Sequence, residues 1–128
     1  MKETEFNTQH LVFDKQQQLY FGTAKSLFGG KIPCAHEKVT DEMIKHFLNA
    51  ELFIDTMSGD HYGMFDTLEH HAQRIASLIH LLRNDVLLKP IEIFYDVEKK
   101  EYHIDDGWHR LRASFYLNKP IPFVLYNW

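Results

Sequence analysis

The 128-residue chain has a single cysteine, Cys34, and so cannot close an internal disulfide. That fits a reducing compartment. No stretch approaches the roughly 20 apolar residues of a membrane span. The first ten residues, M-K-E-T-E-F-N-T-Q-H, lack the apolar run of a signal peptide. Basic residues are not in excess: 14 Lys and Arg against 18 Asp and Glu leave a net charge of −4. This argues against non-specific adhesion to nucleic acid or to a membrane surface. Also missing are a P-loop, a Rossmann glycine pattern, a G-x-S-x-G elbow, internal repeats and low-complexity segments. The expectation is one cytoplasmic domain over residues 1–128 with no membrane partner.

What is present is ordinary for a globular core, with 45% hydrophobic and 25% charged residues. At this length roughly 65–70% of the extended-chain surface can be buried without a metal or disulfide staple. Residues 1–30 read as an N-terminal hairpin and loop. Its strands are Leu11–Phe13 and Leu19–Phe21, and Ala24 to Pro33 is expected to be loop because a glycine pair and a proline punctuate it. Thr40 ahead of Met43, Ile44, Phe47 and Leu48 predicts a helix from Asp41 to about Ala50. Residues 55–66 read as an exposed loop, and Asp66 with Glu69 as a capping box. Apolar residues recurring at helical spacing predict the longest helix, about Thr67 to Arg83. Its Leu68/Ile75/Leu78/Ile79/Leu82 face should lie on a sheet. Then come a strand at P-I-E-I-F-Y-D, a turn, the short strand E-Y-H-I, a helix from about Trp108 to Leu117, and a last strand I-P-F-V-L-Y. The fold class expected is α+β, a small mixed sheet packed against about three helices.

Chemistry concentrates in I-D-D-G-W-H-R-L-R-A, Ile104 to Ala113. A strand that ends in Asp-Gly and enters a helix presents backbone N–H groups and the positive end of the helix dipole. Such a turn suits a phosphate or carboxylate. Gly107 permits a close approach, and His109 and Arg110 fall in the first helical turn, where an arginine fork matches phosphate oxygens. A plainer reading has Asp105 and Asp106 capping the helix while Arg110 and Arg112 form surface ion pairs.

D-G-W-H-R-L-R-A, between a strand and a helix followed by P-I-P-F-V-L, resembles the signature of the ParB/sulfiredoxin superfamily, D-G-x-H-R-x-x-A. H-A-Q-R-I-A-S-L-I followed by L-L-K-P-I-E-I resembles the family's preceding helix and strand, so the likeness covers about Glu69 to Tyr126. The resemblance implies a ParB/sulfiredoxin-like fold that binds a nucleoside di- or triphosphate such as ATP, ADP or CTP. Within it, His109 and Arg110 match positions that grip the phosphates. Arg74 and Ser77 match a basic residue and a serine that face the nucleotide, although as residues of an amphipathic helix they also read as its polar boundary.

Trp108 stands where sulfiredoxins carry their nucleophilic cysteine, so sulfiredoxin chemistry is excluded. Partition proteins carry G-E-R-R and a helix-turn-helix region that this sequence does not show. A-H-E-K-V, Ala35 to Val39, resembles the P-H-E box of free-serine-kinase-like members. That likeness makes Glu37 a general base for an NTPase or phosphotransferase reaction on an unknown small-molecule or protein acceptor. A solvated glutamate ahead of a helix is the alternative.

Nine histidines raise the question of a metal. The adjacent His70 and His71 lack the i, i+4 geometry of a zinc site. Mg²⁺ accompanying a nucleotide needs only one or two carboxylates, and Asp105, Asp106 and Glu37 are its candidates. Two rival functions stay open: a non-catalytic module that binds protein or nucleic acid on the same fold, and a ParB-like nuclease. The net charge counts against duplex binding.

Overall fold

The structure, a computed structural model, describes residues 11–28, 38–54, 67–104 and 107–126. Over these residues the chain forms strands β1 (Val12–Asp14) and β2 (Leu19–Gly22), then helices α1 (Ala24–Phe28), α2 (Asp41–Ala50) and α3 (Leu68–Arg83). Strands β3 (Ile91–Asp96) and β4 (Glu101–Ile104), helix α4 (Trp108–Leu117) and strand β5 (Ile121–Tyr126) follow. This is a small mixed α+β protein. No helix among the described residues is long and apolar enough to cross a membrane.

The five strands make one sheet in the order β1-β2-β5-β3-β4. β5 is central, antiparallel to β2 and parallel to β3. Alternation sets the inner face: Ile91, Ile93 and Tyr95 are buried, whereas Glu92 is exposed and Phe94 half-buried. In register with Ile91 stands Phe123 of β5, and with Phe123 stands Tyr20 of β2. These residues join one core with Ile44 of α2, Ile75, Leu78 and Ile79 of α3, and Leu111 of α4. α3 packs against both α2 and α4.

Local chemistry explains the helix limits. Thr40 caps α2, its hydroxyl accepting from the Met43 N–H, and the left-handed Glu51 (φ 54°) ends it. α3 is capped by Thr67, whose hydroxyl accepts from the His70 N–H at 3.1 Å. The cap expected at Asp66 is therefore supplied by Thr67, one residue later, and Asp66 itself lies outside the described residues. Leu68, expected to face inward, occupies the first position of α3 and is 39% exposed. The helix begins there, beyond the reach of the core. α1 stands where a loop was expected. Thr23 and Ser26 cap each other's backbone N–H groups reciprocally, at 3.2 and 3.1 Å, and that exchange sustains a helix too short to show periodicity.

Between α4 and β5, Asn118 takes a left-handed turn (φ 53°). Lys119 then fastens the C-terminal end of α3, donating to the Leu82 carbonyl and to the Asp85 carboxylate at 2.8 Å. The Lys119 ammonium holds the Asp85 carboxyl below its usual value. A cleft of about 290 Å³ opens beside this fastening, lined by Leu82, Asp85, Leu87, Lys119, Pro120 and Pro122. It contains none of the residues singled out for chemistry in the sequence.

Candidate functional site

The turn between β4 and α4 closes on Gly107, which caps α4 without a side chain and holds φ +102°. The Leu111 N–H donates to the Gly107 carbonyl at 2.9 Å, so the helix starts at this residue. A Cβ at position 107 would stand 2.9 Å from Cγ1 of Ile91 and 3.1 Å from Nη2 of Arg110. Glycine is therefore required twice, for its dihedral angle and for the contact. First-turn N–H groups of a ten-residue helix have no acceptor inside the helix, and the dipole adds partial positive charge there. An anion is the complementary ligand.

Arg110 is 5% exposed. Its Nη1 donates to the Lys89 carbonyl at 2.7 Å and to the Pro90 carbonyl at 3.1 Å. The guanidinium thus bridges the α4 turn to the chain segment that leads into β3. Removing it would strip two carbonyls of a charge-assisted donor. Read from the sequence, Arg110 is either a phosphate ligand or a surface ion pair, and truncation of either costs folding little. The structure adds a scaffold role that such a variant would also lose.

His109 is fully buried, and its Nε2 lies 2.9 Å from Nδ1 of His71, with the two rings inclined by 22°. His71 is half-buried on α3 and neighbours His70, whose Nε2 is 3.5 Å from Nε of the half-buried Arg74. Two imidazoles and an arginine of α3 therefore gather beside the α4 turn, through the contact between His71 and His109. The sequence reading considers His71 only as a metal ligand and does not show its contact with His109. Its only local sign is the E-H-H triplet, and its partner is 38 positions away on another helix.

Ser77 is 2% exposed. Its hydroxyl donates to the Gln73 carbonyl at 2.8 Å and accepts from the Ile54 N–H at 2.9 Å. It ties the segment after α2 to the flank of α3, and this bond accounts for its hydroxyl without a ligand. Ser77→Ala should leave the Ile54 N–H without its acceptor and lower stability by about 1–3 kcal/mol. Urea unfolding would measure this, and a change within experimental scatter would remove the tethering role.

Arg112, read in the plainer account as a surface ion pair, is 9% exposed and bonds Asp41 in the first turn of α2. Asp105, Asp106 and Glu37 lie outside the described residues. Among the described residues no group of three or more His, Cys, Asp or Glu side chains is placed to hold a metal ion. His109, Arg110 and Gly107 are thus brought together, Arg74 approaches through His70, and Ser77 is engaged by the backbone. No protein-family model matches the chain, and no curated protein or solved structure shows significant similarity to it.

Proposed function

We propose that the chain is a ParB/sulfiredoxin-like protein that binds a nucleoside di- or triphosphate at the Gly107–Arg110 turn. The observation that carries this reading is the left-handed glycine at the N-terminus of α4, with the Arg110 guanidinium beside it and His109 of the same helical turn in contact with His71 of α3. A phosphate chain satisfies helix N-terminal amides and neighbouring cations together, which an uncharged ligand does not. The strand–glycine–helix arrangement is also what the D-G-x-H-R resemblance implies.

When Mg²⁺ accompanies the nucleotide, it shields phosphate charge. Asp105, Asp106 and Glu37 are the carboxylates this reading assigns to it. NTP hydrolysis or phosphoryl transfer follows if Glu37 serves as the base for water or an acceptor hydroxyl.

Binding without turnover is the second reading. The bonds of Ser77 and Arg110 to the protein's own backbone favour it, because both side chains already have structural work. A thermal-shift panel of ATP, ADP, CTP and GTP, with and without Mg²⁺, tests the proposal. A bound nucleotide at 100 times its dissociation constant should add about 2.7 kcal/mol of stability. Phosphate release or transfer by the wild-type chain that is lost in Glu37→Gln, with affinity retained, would select the catalytic version. Binding with no turnover would select the second. A melting temperature unmoved by all four nucleotides would contradict both.

A further inference from the structure

We propose that the cleft beside Lys119 and Asp85 binds a small zwitterion, an α-amino acid with an apolar side chain. The cleft shares no lining residue with the Gly107 turn, so this inference and nucleotide binding are tested separately.

Size sets the first limit on the ligand. At about 290 Å³ the cleft lies at the small end of ligand sites, which run from roughly 300 to 1,000 Å³. It suits a molecule of amino-acid size and is small for a nucleotide. The walls set the second limit. Phe21 of β2 and Pro122 of β5 stand in register, and Leu82 of α3 and Leu88 of the segment leading to β3 line the cleft with them. Leu87 joins this wall and is 50% exposed, so apolar surface remains to be covered.

Charge sets the third limit. Lys119 and Asp85 both line the cleft, with Nζ of Lys119 2.8 Å from Oδ1 of Asp85. The ammonium also donates to the Leu82 carbonyl, and it carries one more donor than these two bonds use. Oδ2 of Asp85 accepts no hydrogen bond among the described residues, and the side chain is 87% exposed. An anion drawn to Lys119 meets the Asp85 carboxylate beside it, and a cation drawn to Asp85 meets the ammonium. An α-amino acid avoids both repulsions, because its own carboxylate and ammonium are held together on a single carbon. Laid antiparallel to the Lys119–Asp85 pair, its carboxylate accepts from Lys119 while its ammonium donates to Oδ2 of Asp85. Its side chain then covers the apolar wall.

L-Phenylalanine is the probe, titrated into the intact chain at neutral pH and constant ionic strength, with backbone amide resonances as the readout. The dissociation constant should be on the order of 1 mM, the scale of a small ligand in an open cleft. Shifts should concentrate in residues 82–88 and 119–122. Four analogues each lack one feature of the ligand. 3-Phenylpropionate has no ammonium, phenethylamine no carboxylate, 3-phenylpropionamide no charge and glycine no apolar side chain. Each should bind about threefold or more weakly than phenylalanine. Asp85→Asn keeps an oxygen for Lys119 and removes the negative charge from an exposed side chain, so the fold is spared. In that variant the order should reverse, with 3-phenylpropionate binding more tightly than phenylalanine. No shifts up to about 20 mM phenylalanine, or shifts centred on another part of the chain, would overturn the proposal. So would an analogue that equals phenylalanine, or an order of affinities unchanged in Asp85→Asn.

Discussion

Gly107→Ala is expected to lower stability by about 2–5 kcal/mol, combining left-handed backbone strain with overpacking. The φ of +102° is open to glycine and costly for alanine. The added methyl would stand 2.9 Å from Cγ1 of Ile91, which is 1% exposed and held in β3 by its register with Phe123. The second neighbour, Nη2 of Arg110, belongs to a guanidinium already bonded to two carbonyls, so it too has little freedom to retreat. Either the turn opens or β3 moves. Urea denaturation of the purified variant would measure the loss, and a change below about 0.5 kcal/mol, the usual size for an unconstrained surface position, would show that the turn is not built as described.

Phe123→Ala should cost about 3–5 kcal/mol. Phe123 is completely buried on the central strand, with Tyr20 on one side in register and Ile91 on the other. Its removal opens a cavity where two strand pairings meet the helical layer, and neighbours held by two ladders can collapse only partly into it. Phe123→Leu, which refills much of that space, should lose less. The midpoint and slope of guanidinium unfolding separate these outcomes. A loss under 1 kcal/mol in Phe123→Ala would place this side chain outside the core. Because Ile91 touches both positions, the effects of Gly107→Ala and Phe123→Ala should not add.

The helices and strands were largely legible where the signal is local. Thr40 and the stripe from Met43 to Leu48 located α2, and Asn118 marked the end of α4. α1 escaped because five residues carry no period, although Thr23 and Ser26 held its cap in plain view. The strand order did not follow from the sequence, since nothing local says that β5 enters between β2 and β3. In the site, the Gly107 turn was legible because Asp-Gly before a helix has few geometric solutions.

The partners of its side chains were not. Arg110 and Ser77 have the residue types of ligand contacts, but the Lys89 and Pro90 carbonyls and the Ile54 N–H meet them only once the chain has folded. His71 was weighed as a metal ligand within its own helix, when its contact comes from α4.

The measurement that bears most directly on phosphate recognition at Gly107 is a calorimetric titration of the intact chain with ADP and, separately, with adenosine. ADP should bind and adenosine should bind at least ten times more weakly, a difference of about 1.4 kcal/mol or more that the phosphates supply. Equal affinities for the two, or no detectable binding of ADP, would contradict the account.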